Sequence, residues 1–600
     1  MSPEVARRFK SASSYVRTLH ANHQRASASI ITFLGHPAVL NNHPSLREAI
    51  TLTAAGEQAK GWEKDSWAMS IAHPAWRRHL IDQGRKAVDA GADLIMIDEI
   101  QEFLYPLNYG FDSTTLNLFG EYLSSAYTKD RRKRLFGSAS VCPNDLKSSL
   151  ARGSRNAFRQ TRPATCLSRT FARFLEEYNF RIKSDLINEI RDYASQKKRS
   201  IAVTANIFAL GTMRINGRRL NGLHFSDNVD FFTFECVYTV KGRKMPTVPF
   251  PRGKWVAWEK LAFAATARRS SVVLDVSTLM RIQDKNIDKY LQILTAEAYA
   301  NRAAFMIYHV PEYKLKDKWI GSANMASFIL DHGQFFGPDY IPHADLALLY
   351  IHNAATHKNV DTYLGLAQAL AEANVQYEVI FSGDGIYVDD TLSLGTLNKY
   401  SLLVLPSSTD LTSSQRRTLR EYRRSGGRIV AFNTDKVMRE ISARDPVSGG
   451  VETPADIRRN NSSMDVAEAF HATYDEKLRR DLISQVLKVR RPAILDDSLS
   501  NVCAYVYRSS VNGALVAHLV NYNHSFTNDV VEEKADIVLR ISKASMTMPN
   551  PSFRFYNPST PHYRSLPVLD GETHWEVIVP RLQVYGIVHI SPRSAGNARR

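Results

Sequence analysis

The stretch Gly84-Arg-Lys-Ala-Val-Asp-Ala-Gly-Ala-Asp-Leu-Ile-Met-Ile-Asp98-Glu99 decides how the first half of the chain folds. Its first half has helical spacing, and Gly91 is placed to end that helix. The apolar run that follows is short enough to be a buried parallel strand. The predicted strand ends on two carboxylates, Asp98 and Glu99.

These two carboxylates are candidates for an active site. A buried parallel strand has no structural need for acid at its C-terminal end, whereas a (β/α)8 barrel places its catalytic groups at that rim. The alternative is a solvated Asp-Glu pair that caps the next helix.

The composition describes a large globular protein with a basic surface. A chain of 600 residues is expected to form several domains, and 44% apolar with 10% aromatic residues supply a sizeable core, which excludes overall disorder. Lys and Arg exceed Asp and Glu by 17, and the sequence pI is about 9.5. This balance favours acidic partners such as a polyanionic sugar or nucleic acid.

The positive charge is concentrated between Lys129 and Arg173. This segment carries 12 basic residues against two acidic ones, Asp130 and Asp145. Three interpretations stay open: a solvated face, a site for an anionic saccharide, or nucleic-acid binding. Nucleic acid is the least favoured because the basic run contains no recognised reading motif.

Cysteine usage and hydropathy argue against metal, cofactor and membrane roles. The four cysteines are too scattered for a zinc pattern or a disulfide framework, although a bridge between Cys142 and Cys166 is possible. We expect no metal and no cofactor. The first residues lack the apolar core of a secretion signal, and no apolar run is long enough to span a membrane. The sequence as it stands predicts a soluble cytoplasmic protein, or a secreted one if a leader has been removed.

Residues 1–340 alternate between strand and helix patterns in the way a (β/α)8 barrel requires. Its first strand is predicted to be missing or very short. The predicted strands cover residues 27–34, 93–97, 200–205, 228–235, 271–276 and 303–310. The predicted helices cover residues 5–24, a segment starting near 74, and residues 116–127, 171–196, 255–268 and 287–300.

Polar side chains recur where these strands end. Besides Asp98 and Glu99, the ends carry Asn206, Glu235 and Asp275. Recurrence at one edge is what a polar pocket on the C-terminal face of a barrel needs, although each residue alone could be a cap or a loop hydrogen-bonder.

Three further side chains are candidates to bind a sugar substrate. Indole rings stack on sugar faces, so Trp67 and Trp258 are included, although a tryptophan is more often core or a loop anchor. His309, near the end of the strand predicted at 303–310, completes the set.

The rest of the chain divides into three parts. Residues 341–440 predict a smaller doubly wound α/β domain, in which Gly426-Gly427 ends a helix; a phosphate loop is less favoured because no helix follows it. Residues 441–500 read as a charged helical connector. Residues 501–600 alternate as short strands and predict an antiparallel β-sandwich.

This order of domains resembles the glycoside hydrolases related to family 42 and the hypothetical glycosyl hydrolases allied to them. The local matches are His73-Pro-Ala-Trp-Arg, Asp89-Ala-Gly-Ala-Asp-Leu-Ile-Met-Ile-Asp98-Glu99, Val404-Leu-Pro-Ser-Ser, Ser425-Gly-Gly-Arg-Ile-Val and His518-Leu-Val-Asn-Tyr522. The resemblance implies a catalytic TIM barrel, a trimerisation domain of class I glutamine-amidotransferase fold and a C-terminal β-sandwich. It also implies a homo-oligomer, either a dimer or a trimer.

The chain departs from the family at the catalytic positions. The family pairs Asn with Glu at the end of its fourth strand, but Asn206 is followed by Ile207, and Asp275 stands where a Glu nucleophile is expected. The family's catalytic residues are therefore not transferred. No cysteine lies between Cys236 and Cys503, so the middle domain lacks the amidotransferase nucleophile and is interpreted as an assembly domain.

The predicted chemistry is glycosidic cleavage by two carboxyl groups of an oligosaccharide or polysaccharide, which could be anionic. Asp98 takes the ionised role, and Glu235, after an apolar run, takes the acid role because apolar surroundings raise a carboxyl pKa. Glu99, Asn206 and Asp275 would hold sugar hydroxyls or orient the two carboxyl groups. The alternatives are a non-catalytic carbohydrate-binding or assembly protein and a polysaccharide lyase acting on uronic acids.

Overall fold

The structure is a computed structural model of the chain, and it divides into two compact units. Residues 1–216 and 220–234 form the first unit, and residues 217–219 and 235–600 form the second. The described residues are 11–22, 25–61, 65–98, 109–140, 146, 166–206, 227–236, 254–274, 288–307, 320–351, 358–383, 389–406, 411–431, 493–495, 501–525, 528–546, 548, 550–560 and 562–592.

The first unit contains helices and short strands in alternation. Its helices are α1 (Ala12–Ala21), α2 (Pro37–Asn42), α3 (Pro74–Ala90), α4 (Ser113–Ala126), α5 (Lys129–Phe136) and α6 (Cys166–Gln196), with a 3-10 helix over Pro44–Ala49. Its strands are β1 (Ser27–Ile31), β2 (Leu34–Gly35), β3 (Trp67–Ala68), β4 (Leu94–Asp98) and β5 (Ala202–Asn206). Strand β6 (Phe231–Cys236) begins in this unit.

Strand β4 is the apolar run predicted from the sequence. It pairs in parallel with β1 on one side and β5 on the other, and β5 pairs in parallel with β6. Ile95 and Ile97 are fully buried. Gly91 adopts a left-handed conformation (φ 104°) directly after α3, which confirms it as the residue that ends the helix.

The predicted strand 27–34 is wrong at its C-terminal end. Strand β1 stops at Ile31, and Leu34 and Gly35 form a separate antiparallel pair with β3. The chain leaves the sheet because Phe33 and Leu34 pack into a small apolar cluster with Ala59 and Ala68. A continuous apolar pattern therefore covers two elements that lie in different sheets.

Helices α3 and α6 are in close contact at Gly84. A Cβ atom on Gly84 would lie 2.4 Å from Cδ1 and 2.5 Å from Cγ1 of Ile190. The missing side chain therefore lets the two helices pack side by side.

Substitution of alanine for Gly84 is expected to give a less stable protein than substitution of alanine for Gly120. Gly120 also lies in a helix, but a Cβ atom added there would have no other atom within 4 Å. Gly120→Ala should raise the free energy of unfolding by roughly 0.5–1 kcal/mol through helix propensity. Gly84→Ala gains the same propensity but must displace Ile190, at a cost of about 1–3 kcal/mol. Urea unfolding of both variants measures the difference; equal gains would contradict the close approach of α3 and α6.

The second unit begins with the end of β6 and contains two kinds of sheet. Its helices are α7 (Lys254–Thr266), α8 (Asp288–Ala300), α9 (Ile320–Asp331), α10 (Lys358–Glu372), α11 (Leu394–Leu397) and α12 (Ser413–Arg424), with 3-10 helices over Gly333–Phe336 and Lys543–Ser545. Its parallel strands are β7 (Arg269–Leu274), β8 (Ala304–Ile307), β10 (Leu346–Ile351), β11 (Glu378–Ser382), β12 (Leu402–Leu405) and β13 (Arg428–Ala431).

Four of the parallel strands of the second unit form a sheet of their own. Strands β7 and β8 pair with each other, and the sheet has the order β11-β10-β12-β13. Every residue of β10 is buried, which is why this strand reads as a continuous apolar run. Gly426 is left-handed (φ 97°) after α12, so Gly426-Gly427 ends that helix as predicted.

The C-terminal part is a sandwich of two antiparallel sheets that share one apolar core. Its strands are β9 (Tyr340–Pro342), β14 (Ala493–Leu495), β15 (Val502–Ser509), β16 (Leu515–Asn521), β17 (His524–Ser525), β18 (Val530–Val531), β19 (Lys534–Ser542), β20 (Pro551–Tyr556), β21 (Arg564–Ser565), β22 (Val568–Asp570), β23 (His574–Leu582) and β24 (Tyr585–Pro592). One sheet has the order β14-β19-β23-β22 and the other β21-β20-β24-β16-β15-β9, while β17 and β18 form a separate pair.

The helical prediction for 441–500 is wrong at 493–495. Strand β14 pairs with β19, and Ala493 and Leu495 are buried in the sandwich core, which outweighs the helical pattern of the preceding residues. The rest of this segment lies outside the described residues. Strand β9 likewise joins the sandwich sheet through β15.

The architecture confirms an α/β fold followed by a sheet-rich C-terminal region. Closure of the parallel strands into an eight-stranded barrel, and the domain boundaries, stay predictions. Neither Cys166 nor Cys503 forms a disulfide, and Cys142 lies outside the described residues. None of the helices described is long and apolar enough to cross a membrane.

Candidate active site

Asp98 lies at the C-terminal end of β4, between two parallel neighbours. Its register partner on β1 is Ile31. Because side chains alternate along a strand, Asp98 lies on the face opposite the buried Ile97. The side chain is half-buried. The fold therefore presents this carboxylate at the edge of the parallel sheet where α/β proteins build their sites.

Asn206 ends the next strand and holds the Asp98 carboxylate. Its Nδ2 donates a hydrogen bond of 2.9 Å to Oδ1 of Asp98. The Ser29 hydroxyl on β1 lies 3.4 Å from Oδ2 of the same group, at the long limit for a hydrogen bond. Since Asn206 is only 4% exposed, its amide has little freedom to turn away. The sheet thus fixes the orientation of the carboxylate through both of its neighbouring strands.

A polar layer lies beneath Asn206 on the same face of the sheet. The hydroxyl oxygens of Thr204 and Thr233 are 2.9 Å apart, and both residues are fully buried. Thr204 Oγ1 donates to the carbonyl oxygen of Phe231 at 2.9 Å, so the Thr233 hydroxyl donates to Thr204. Thr233 is also the register partner of Asn206. These bonds tie β5 to β6 directly below the polar edge.

The backbone of Asp98 is fixed by a chain of contacts that reaches α3. Thr32 donates to the Asp98 carbonyl oxygen through its backbone N–H at 3.2 Å and through Oγ1 at 3.1 Å. The indole Nε1 of Trp76 then donates to the Thr32 carbonyl oxygen at 2.8 Å. Trp76 is 2% exposed. The strand end is therefore held on both its side-chain and its main-chain atoms.

His79 packs on the same indole without adding a stable charge. Its ring stacks on Trp76 with centroids 5.2 Å apart and lies 5.4 Å from the ring of His43. Burial lowers the pKa of His79, and the charges of His43 and Lys86 lower it further. The imidazole therefore behaves as an aromatic packing group near neutral pH.

Two of the predicted site residues, Asp98 and Asn206, are in direct contact in the structure. Trp67 lies half-buried in β3, and Nζ of Lys60 is 3.1 Å from the centroid of its ring, so one face of the indole is already covered. Glu235 belongs to β6 and Trp258 to α7, and their side chains lie outside the described part of the structure. The remaining candidates also lie outside it: Glu99, Asp275 and His309.

Several residues that support the site are not recognisable as site residues from the sequence pattern. Ser29, Thr32, Thr204 and Thr233 are ordinary strand or turn residues, and only the register of the parallel sheet shows that they surround one edge. Alternate residues of a strand lie on the same face, so Thr204 can be predicted from the sequence to lie on the same face as Asn206. Among the described residues, no three His, Cys, Asp or Glu side chains are grouped to hold a metal ion.

The described chain thus carries, in order, parallel strands that end in a held carboxylate, a second parallel sheet and an antiparallel sandwich. No protein-family model and no curated protein sequence matches the chain. Solved structures do, and they confirm at the level of the fold the resemblance to family 42-related glycoside hydrolases.

Three of these structures show the extent of the similarity. The α-L-fucosidase isoenzyme 2 from Paenibacillus thiaminolyticus has a TM-score of 0.62 at 12% identity, over 97% of this chain and 90% of that one. The β-galactosidase from Bacillus circulans sp. alkalophilus has a TM-score of 0.56 at 10% identity, over 96% and 90%. The family 42 exo-carrageenase from Bacteroides ovatus has a TM-score of 0.50 at 12% identity, over 92% and 73%. At these identities the similarity concerns the fold.

Proposed function

We propose that the protein is a glycoside hydrolase that cleaves an oligosaccharide or polysaccharide. The observation that carries the proposal is the Asp98 carboxylate, fixed at the C-terminal edge of a parallel sheet by the Asn206 amide at 2.9 Å. The fold supports it, because the similar structures include a fucosidase, a β-galactosidase and an exo-carrageenase. We also propose that the parallel strands close into a (β/α)8 barrel.

In the proposed mechanism, Asp98 acts in its ionised form, as a nucleophile or as a base for water. A fixed carboxylate suits either role, because a reacting group held in one orientation loses little entropy at the transition state. The Asn206 amide occupies a lone pair on Oδ1 and restricts rotation of the whole group. The carboxylate is thereby positioned before a substrate arrives.

Glu235 is proposed as the general acid that protonates the leaving oxygen. The support is its place in the sequence, at the end of the apolar run of β6. Glycosidic cleavage needs this second carboxyl, and carboxyl groups about 5 Å apart would give retention whereas roughly 6.5–9.5 Å would give inversion. Glu99, Asp275, Trp67, Trp258 and His309 are proposed to bind the sugar.

The middle α/β domain is proposed to serve assembly and not catalysis. The chain has no cysteine between Cys236 and Cys503, so an amidotransferase nucleophile is absent from its sequence. A homo-oligomer, dimer or trimer, is part of this proposal. Sedimentation equilibrium of the full chain tests it.

The experiment that tests the function is a panel of neutral and anionic polysaccharides with two readouts. Release of reducing ends without an ultraviolet-absorbing product supports hydrolysis. An unsaturated, absorbing product would show a lyase instead. Binding without any new reducing end, across the panel and across aryl glycosides of the common sugars, would show a non-catalytic carbohydrate-binding protein.

Removal of the Asn206 amide is expected to lower activity more than stability. In Asn206→Ala the Asp98 carboxylate loses the 2.9 Å donor that orients it, and kcat/KM should fall by roughly 100-fold, the scale of the loss when a reacting group is misplaced. The matched control is Thr204→Val in the buried layer below, which should cost about 1–3 kcal/mol of stability because it removes two hydrogen bonds of the Thr204 hydroxyl, one with Thr233 and one with the carbonyl oxygen of Phe231. Steady-state kinetics and urea unfolding separate the two; full activity in Asn206→Ala would remove Asn206 from the site.

A further inference from the structure

Helix α12 carries an unusual concentration of arginine on its solvent-exposed side. Its twelve residues, Ser-Ser-Gln-Arg-Arg-Thr-Leu-Arg-Glu-Tyr-Arg-Arg, include five arginines and one acidic residue, Glu421. Arg417, Arg420 and Arg424 are exposed, whereas the remaining two arginines are half-buried. We call the exposed three the arginine face of α12. These arginines lie outside the basic segment between Lys129 and Arg173.

The packing of α12 explains why the arginine face points outward. Leu419 and Tyr422 on the opposite side are 0% and 1% exposed and belong to the core of the four-stranded parallel sheet. Gln415 is also buried, and together with Thr412 it forms the capping box that starts the helix. The helix is therefore anchored along its other side, and the arginine side chains do not contribute to its core.

The three arginines form a continuous stripe. They stand at positions i, i+3 and i+7, so they lie on one face of the helix. At a rise of 1.5 Å per residue the stripe spans roughly 10 Å along the helix axis. A stripe of this kind can contact several charged groups of one extended chain.

The arginine face has no acidic partner among the residues that the structure describes. Other arginines of the chain do, for example Arg191 with Asp230 at 2.7 Å and Arg540 with Glu576 at 2.8 Å. Guanidinium groups offer several donors in a planar fork that matches oxyanions, and they keep their charge at any physiological pH. The stripe therefore offers a surface complementary to a polyanion.

Two alternative occupants fit less well. A second copy of the same helix would bring like charges together, which opposes association through this face. Single-stranded nucleic acid is bound by aromatic side chains on which its bases stack, and the only aromatic residue of α12, Tyr422, is buried in the core. An anionic polysaccharide needs no such platform.

We propose that the arginine face of α12 is an accessory docking site for an anionic polysaccharide that carries sulfate or carboxylate groups. The choice of a polysaccharide rests on the proposed glycoside hydrolase function. The site lies on an element that contributes none of the proposed catalytic residues. It would retain the enzyme on a polymeric substrate by electrostatic contact.

The test is binding of the full chain to dextran sulfate, polygalacturonate and neutral dextran at several salt concentrations. The variant Arg417→Gln/Arg420→Gln/Arg424→Gln should bind the anionic polymers at least about tenfold more weakly. The slope of log K against log salt should become shallower in the variant, because fewer counterions are released when fewer arginines pair with the polymer. Which of the two anionic polymers binds more tightly identifies sulfate or carboxylate as the preferred group.

The matched control removes the same charge from α5. Lys129→Gln/Lys133→Gln/Arg134→Gln also replaces three exposed basic residues with a neutral helix former and should change binding less than twofold. The single variant Arg420→Glu repeats the test if the triple variant unfolds. Because the assay measures binding without turnover, its result is separate from the proposed hydrolysis.

Four outcomes would overturn the proposal. These are equal losses in the α12 and α5 variants, a larger loss in the α5 variant, equal binding to neutral dextran, or no binding to either anionic polymer. Tighter binding to a DNA oligonucleotide than to both polysaccharides would assign the face to nucleic acid instead.

Discussion

Asp98→Asn is expected to lower kcat by on the order of 10⁴-fold or more, the scale seen when the reacting group of a catalytic unit is removed. Asparagine has the same shape and can keep the contact with the Asn206 amide, which joins Nδ2 to Oδ1 at 2.9 Å. It cannot act as an ionised nucleophile or base. Initial rates with an aryl glycoside hydrolysed by the wild type measure the effect.

The matched control is Asp93→Asn, just before the opposite end of the same strand. Asp93 accepts hydrogen bonds from the backbone N–H of Ala26 at 2.8 Å, from His20 at 2.8 Å and from Arg25 at 3.3 Å. Burial raises the pKa of Asp93, but these donors outweigh it and the net pKa lies below its usual range. Asp93→Asn should therefore cost stability and leave kcat unchanged. A wild-type rate in Asp98→Asn would leave the proposed mechanism without its carboxylate.

The proposed roles of Glu235 and Asp98 can be distinguished by how strongly the loss of activity in each variant depends on the leaving group of the substrate. Loss of a general acid costs typically 10²–10⁴-fold, and it matters most when the leaving oxygen is a poor one. Glu235→Gln should therefore act slowly on polysaccharide and lose much less activity on an activated aryl glycoside. An equal loss on both substrates would argue against the acid role.

The local pattern of the sequence is enough to predict β4 and the carboxylate that ends it. The apolar run, the helix-ending glycine at 91 and the acid at 98 are adjacent in sequence, so their structure follows from short-range rules. The prediction that Asn206 lies at the same edge as Asp98 needs one further rule, that parallel strands end at the same edge, and the structure adds their direct contact.

The surroundings of Asp98 could not be predicted in the same way. The contact of Thr32 with the Asp98 carbonyl, and that of Trp76 with Thr32, join segments that are far apart in sequence. Their pairing depends on sheet register and on the crossing of α3, which a single sequence does not encode in any short window. The strand at 493–495 was missed for the same reason, because its partner β19 lies more than 30 residues further on.

The contact between the sandwich and helix α8 belongs to this group of distant contacts. The carboxylate of Asp529, in the turn before β18, accepts hydrogen bonds from the backbone N–H groups of Lys289 at 2.9 Å and Tyr290 at 3.0 Å. His524 Nε2 lies 2.9 Å from the same carboxylate, and the side chains of this pair are each 2% exposed. One buried acid thus satisfies the first turn of α8 and a histidine of the sandwich.

Asp529→Ala is expected to lower the free energy of unfolding by about 3–5 kcal/mol, because it removes the hydrogen bonds to two helix N–H groups and the contact with a buried histidine. The matched control is Asp536→Ala. Both aspartates have a left-handed backbone conformation, with φ of 53° at Asp529 and 50° at Asp536, but Asp536 is exposed. The cost of placing alanine in that conformation, on the order of 1 kcal/mol, is therefore common to both variants.

The difference between the two variants isolates the buried contacts. Urea unfolding followed by tryptophan fluorescence should place Asp529→Ala about 3 kcal/mol below Asp536→Ala. Asp529→Asn should fall between them, since its amide oxygen can still accept one of the helix N–H groups but carries no charge. If the two alanine variants have the same free energy of unfolding, the carboxylate of Asp529 does not join the sandwich to α8 in solution.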